Sequence, residues 1–116
     1  MDMGIKGKKA VVCASSRGLG KGCAEALAFE GVDLVINGRN EQVLTSTARE
    51  LREKYEVNVT EFCADITSKE QQIKLIELCP NPDILVNNAG GPPPGDFRDW
   101  SRDDWMNACI ANMFTP

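Results

Sequence analysis

Four short apolar runs, separated by longer amphipathic stretches, leave this chain few ways to fold. Lys9–Ala14 (KAVVCA) and Asp33–Asn37 (DLVIN) are strand-length and apolar at most positions, the pattern of strands buried on both faces, and Asp83–Asn87 (DILVN) is the fourth strand. Asn58–Cys63 (NVTEFC) is a third strand of more alternating character. The stretches between them read as helices. Leu19–Phe29 is rich in Ala, Leu and Glu and is stopped by Gly31. A second helix is capped by Asn40 and carries Leu44, Ala48, Leu51 and Tyr55 on one face. A third opens with a Ser68–Gln71 capping box, carries Ile73, Ile76 and Leu78 or Cys79, and ends at Pro80-Asn81-Pro82. Gly90–Gly95 is a loop, and Ser101 caps a last helix from Arg102 to about Phe114. Strands joined by helices run parallel with right-handed crossovers. The expected fold class is therefore α/β: the first half of a doubly wound parallel sheet, with about four strands in one domain of 116 residues.

In such a sheet the ligand lies beyond the carboxyl ends of the strands. That rule gathers Ala14–Gly20, Asn37–Arg39, Ala64–Ile66 and Asn88–Gly91 on one rim. Ser15-Ser16-Arg17-Gly18-Leu19-Gly20 joins the first strand to the first helix. Its glycines admit a ligand close to the backbone, the helix start offers free N–H groups, and Ser15 and Ser16 add hydroxyls for a phosphate. A tight structural turn is the alternative. At the end of the second strand, NAD-binding proteins place an acid for the ribose hydroxyls. Here Asn37-Gly38-Arg39 has no carboxylate, and the Arg39 guanidinium suits a 2′-phosphate, with Arg17 as a second positive charge. NADP is expected over NAD, against the alternative that both arginines are ordinary surface charges.

Composition removes other chemistries. There is no histidine, which excludes a Ser-His-Asp triad, a Cys-His pair and any His-ligated zinc within these residues; no metal is expected. The net charge of −4 argues against nucleic acid or an anionic membrane as partner. No uncharged apolar run has the length of a membrane span, and the N-terminus shows no apolar secretory segment. The five cysteines form no C-x-x-C pair and read as reduced core thiols of a cytoplasmic protein.

Ala14-Ser15-Ser16-Arg17-Gly18-Leu19-Gly20, Ala64-Asp65-Ile66 and Asn87-Asn88-Ala89-Gly90, in this order and spacing, resemble the short-chain dehydrogenase/reductase family, in particular the 3-oxoacyl-carrier-protein reductases. The resemblance covers essentially the whole chain. It implies a Rossmann-type fold and a nicotinamide cofactor. Gly18 and Gly20 match the last two glycines of the family's T-G-x-x-x-G-x-G turn, while Cys13 and Ala14 replace its threonine and first glycine. By the same resemblance Asp65 and Ile66 contact the adenine, and Asn88, Ala89 and Gly90 line the ribose side, with Asn87 and Asn88 bonding neighbouring backbone. Asp65 also reads as a cap or turn residue.

Trp105, Cys109 and Asn112 share one helical face, and the first two suggest that it is buried. Asn112 is then a polar residue on an apolar stripe. The resemblance implies that Asn112 is the catalytic asparagine of an Asn-Ser-Tyr-Lys group, holding a water that relays protons to the lysine. The serine, tyrosine and lysine have no counterpart here, and Tyr55 lies on the wrong helix to replace the tyrosine. The expectation is the NADP-binding domain, residues 1–116, of an oxidoreductase that transfers hydride between nicotinamide and a small-molecule carbonyl or alcohol substrate. By itself this half is expected to be inactive. It is expected in a homo-oligomer or completed by the C-terminal half. A non-catalytic nucleotide-binding or regulatory module, and an assembly subunit, are the alternatives.

Overall fold

The computed structural model describes residues 1–116. Four strands, β1 (Lys9–Val12), β2 (Asp33–Gly38), β3 (Val59–Cys63) and β4 (Ile84–Val86), form one parallel sheet in the order β3-β2-β1-β4. The helices α1 (Gly18–Phe29), α2 (Glu41–Tyr55) and α3 (Lys69–Leu78) connect them, and α4 (Arg102–Cys109) follows β4. The expected α/β half-sheet is thus present. β1 ends at Val12, two residues before the predicted Ala14, because Ala14 turns into the left-handed region at φ 46°.

Side-chain alternation divides the core between the two faces of the sheet. Ala10, Val12, Leu34, Ile36 and Val59 face α1 and α2, where Ala24, Ala28, Leu44, Ala48 and Leu51 meet them. Gly20, Ala24 and Ala28 recur every four residues, so the buried residues of α1 are all small, with Leu27 packing beside them. Each fully buried large side chain here, such as Ile36 or Leu51, contributes about 1.5–3 kcal/mol. On the second face Val11, Cys13 and Val35 meet Leu75 of α3 and Cys79, the residue that ends it. β4 has a strand on one side only, and Leu85, aligned with Val11 on the second face, is 56% exposed.

Helix starts differ in how they are closed. Asn40 caps α2 by accepting the Val43 N–H at 3.1 Å, as expected. Ser101 and Asp104 form a full capping box on α4. The expected box at Ser68 is not formed: its side chain makes no cap hydrogen bond, and Gln72, not Gln71, bonds back, donating to the Ile66 carbonyl at 2.9 Å. The face expected for α3 also shifts. Leu75 and Cys79 are its buried residues, while Ile73, Ile76 and Leu78 are exposed.

The last helix departs further. It is α-helical only to Cys109 and continues as a π turn over Ile110–Phe114. None of its residues is buried, and Trp105, expected in the core, is 53% exposed and stacks edge-on against Trp100 at 5.7 Å. The five cysteines are free, but only Cys13 and Cys79 are core thiols. Cys23 and Cys63 are exposed and Cys109 is half-buried.

Candidate functional site

The carboxyl ends of the four strands come together, and the predicted rim residues supply the ties. Asn37, at the end of β2, accepts the Ala14 N–H on Oδ1 at 3.1 Å. Its Nδ2 donates to the carbonyls of Phe62 and Ala64 at 3.0 and 3.1 Å. One amide therefore joins the turns that follow β1 and β3. Asn88, beyond β4, donates Nδ2 to the Ala14 carbonyl at 3.0 Å and to the Cys13 carbonyl at 3.4 Å, tying the fourth segment to the first.

Two of the residues expected at the ligand spend their side chains on backbone groups. Asn37 is only 2% exposed and its side chain is spent on backbone groups, so it organises the rim. Ser15 is wholly buried. Its hydroxyl donates to the Val12 carbonyl at 2.7 Å and accepts the Asn37 N–H at 3.0 Å, which leaves no proton for a phosphate. Both residues close backbone groups where the sheet ends, as buried polar backbone requires.

The remaining residues of the turn face outward. Arg17, Gly18 and Leu19 are exposed at the start of α1, and Ser16 and Ala14 are half-buried. Arg17 is the N-cap residue but gives no side-chain cap, and the first turn of α1 holds no acid. The first amides of this helix are thus uncovered at its positive end, whereas the starts of α2 and α4 carry both a cap and acidic side chains. That is the local chemistry of an anion site. Gly20 makes the close packing possible: a Cβ there would strike the Ala14 carbonyl and lie 2.8 Å from Asn88 Nδ2.

Gly38 has a corresponding role at the end of β2. A Cβ on it would lie 2.8 Å from Ser16 Oγ and 2.9 Å from Ser16 Cβ, so the Ser16 side chain rests on bare glycine. Arg17 and Arg39 each follow one member of this contact and leave the rim from adjoining points. Arg39 is exposed. Asp65 accepts the Thr67 hydroxyl at 2.7 Å and the Thr67 N–H at 3.0 Å, an Asx turn ahead of α3. The Thr67 hydroxyl and amide, and the charge of Arg39 nearby, hold its carboxyl below the usual carboxylate range. Ile66 is half-buried against the second-face core. Burial pushes the Cys13 thiol up.

Asn112 is exposed, not buried as its helical stripe suggested. Its Nδ2 donates to the Ala108 carbonyl at 3.1 Å and to the Gly90 carbonyl at 3.4 Å. The π turn is thereby fastened to the segment Asn88-Ala89-Gly90, of which Ala89 is half-buried and Gly90 exposed. Asn87 is exposed.

Sequence reasoning placed Gly38 on the rim without a role and missed Thr47. Thr47 is 4% exposed, and its hydroxyl donates to the Ser16 carbonyl at 2.6 Å. The available sign was its place in the stripe Leu44, Thr47, Ala48, Leu51, where it is the one polar member.

A family model described as short chain dehydrogenase matches residues 8–116. The chain is 34% identical over 116 residues to the uncharacterized oxidoreductase YvaG of Bacillus subtilis, covering 99% of this chain and 44% of that one. It is 32% identical over 117 residues to the 3-oxoacyl-acyl-carrier-protein reductase FabG of Aquifex aeolicus, covering 97% and 47%. Among solved structures, L-sorbose reductase from Gluconobacter frateurii, complexed with NADPH and L-sorbose, superposes with a TM-score of 0.90 at 34% identity, over 99% of this chain and 45% of that one. The chain spans less than half the length of these relatives.

Proposed function

Because the chain belongs to the short-chain dehydrogenase family, we propose that it is the NADP-binding part of an oxidoreductase acting on a carbonyl or alcohol substrate. The observation that carries this reading is the seat of Ser16 on Gly38, which starts Arg17 and Arg39 from neighbouring points of the rim. Two guanidinium groups there suit a phosphate, and the carboxylate that would suit a free ribose hydroxyl is absent from Asn37-Gly38-Arg39. The uncovered amides at the start of α1 fit the same ligand.

When bound, the nicotinamide supplies or accepts the hydride. The residues of this chain bind and orient. Gly18, Leu19 and Gly20 offer backbone amides to the pyrophosphate, and Arg17 and Arg39 take the 2′-phosphate. Asp65 and Ile66 border the adenine, and Ala89 and Gly90 the ribose side. Asn112, fastened to Gly90, is the catalytic candidate, holding a water on the proton path. None of these 116 residues is assigned the roles of the serine, tyrosine and lysine. The reductase solved with NADPH and L-sorbose supports both the cofactor and the substrate class. A homo-oligomer is proposed on family analogy alone.

Titration of the chain with NADPH and NADH tests the reading. NADPH is expected to bind more tightly, and Arg39→Asp to reverse the order, since a charge-assisted hydrogen bond contributes about 1.5–3 kcal/mol, roughly 10–100-fold in affinity. Equal affinities in the parent chain count against NADP.

A further inference from the structure

Ser16 is gripped from two sides. Its side chain rests on Gly38 of β2, and its carbonyl oxygen accepts the Thr47 hydroxyl of α2 at 2.6 Å. Thr47 is 4% exposed and lies on the buried stripe of α2 between Leu44 and Leu51. The Ser16–Arg17 peptide is planar and trans, so holding its carbonyl toward α2 turns the Arg17 N–H the opposite way. The same plane sets the direction from which the Arg17 side chain departs. Arg17 then continues in extended backbone, at φ −158° and ψ 175°, into the first turn of α1. An open cleft of about 550 Å³ between α1 and α2 is lined by Ser16, Arg17, Lys21, Gln42 and Thr47, so the threonine and the arginine border the same space.

We propose that Thr47 is a positioning residue for Arg17: its hydroxyl fixes the Ser16–Arg17 peptide and thereby aims Arg17 at the 2′-phosphate of the bound nucleotide. The proposal rests on the NADP reading. It concerns selectivity and not binding in general, because the amides that would meet the pyrophosphate begin at Gly18, beyond the gripped peptide. Lys21, the other cation at the cleft, is held away by its 2.8 Å ion pair with Glu50 on α2. Arg17 is therefore the cation whose direction depends on the Thr47 hydroxyl.

The test compares Thr47→Val, which keeps the shape and removes the hydroxyl, with Thr47→Ser, which keeps the hydroxyl. Gly38→Ala disturbs Ser16 from the opposite side. Each is titrated with NADPH and NADH. In the nucleotide-free state, trypsin cleavage after Arg17 is followed by mass, since proteolysis reports local opening. Loss of one hydrogen bond predicts that Thr47→Val weakens NADPH about 3–10-fold and NADH less than twofold. Cleavage after Arg17 accelerates severalfold, Thr47→Ser stays within twofold of the parent on every measure, and Gly38→Ala shows the same selective loss of NADPH. An unchanged NADPH-to-NADH ratio in Thr47→Val, with unchanged cleavage after Arg17, overturns the proposal. An equal loss of both nucleotides also overturns it, because that is the mark of a purely structural residue. If Thr47→Val does not fold, Thr47→Ala, which also removes the hydroxyl, decides by the same ratio. A parent chain that binds neither nucleotide refutes the NADP reading itself, and the cleavage comparison still decides whether Thr47 holds the turn.

Discussion

Replacing Ala14 with glycine should stabilise the chain. Ala14 sits at φ 46°, in the left-handed region, where a residue with a Cβ carries about 1–2 kcal/mol of strain. Glycine removes that strain but enlarges the freedom of the unfolded chain, at about 0.4–1 kcal/mol. The half-buried methyl also gives up roughly 0.4 kcal/mol of burial, half the value of a fully buried methylene. The balance is about 0.5 kcal/mol in favour of Ala14→Gly, or roughly 2 °C in Tm for a chain of this length. Glu56 is the internal comparison. It follows α2 at φ 54°, is exposed, and buries no methyl. Glu56→Gly should therefore gain slightly more, about 0.5–1 kcal/mol. The two residues share no hydrogen-bond partner, so the double variant should add the two shifts. Urea and thermal unfolding, followed by circular dichroism, measure all three. Nucleotide affinity should stay within twofold in each, because glycine accepts the conformation already present. A fall in stability on Ala14→Gly beside a rise on Glu56→Gly would refute strain at the turn. A fall in both would refute the left-handed penalty as the governing effect.

Asn37→Ala removes a buried amide that serves one N–H and two carbonyls, and unpaired buried groups cost about 1–3 kcal/mol each. A loss of about 3 kcal/mol or more is expected in urea unfolding, and a loss below about 1 kcal/mol would show that water replaces the amide freely. Acid should destabilise the chain in a defined window. Asp65, Asp96 and Asp104 are held low by Thr67, Arg98 and Ser101 respectively, so the native state binds fewer protons than the unfolded state as pH falls below about 5. The stability these groups lend is complete above their unfolded pKa, about 4, and is lost as pH drops through the lower native values. Tm measured against pH should be nearly flat from 7 to 5 and fall below 4, with a shallower fall in Asp65→Asn; an identical slope in that variant would show that Asp65 is not held low.

The order of strands and helices was legible because period and length agree: short apolar runs cannot make helices, and the stretch from Leu44 to Leu51 cannot make a strand. The rim was legible because parallel topology sends every strand end to the same side. What failed were faces and directions. Apolar residues at 73, 75, 76, 78 and 79 surround α3, so no single stripe stands out, and only contact with Val11 and Val35 selects Leu75 and Cys79. Trp105 resembles a core residue by type, yet it packs against a neighbouring tryptophan at the surface. Polar residues at strand ends, such as Ser15 and Asn37, suit either a ligand or the sheet's own unpaired backbone. The pattern contains both uses and does not separate them; Asn37 Nδ2 on the Phe62 and Ala64 carbonyls does.

The stitching amide at position 37 and the exposed guanidinium at position 39 stand one residue apart, with Gly38 between them. Arg39 uses its side chain in no hydrogen bond or ion pair within the chain, while Asn37 carries the weight of the surrounding loops. Framework and preference are thus separable at this strand end. The charge displayed to solvent can be rewritten by a single codon without touching the bonds that hold the loops behind it.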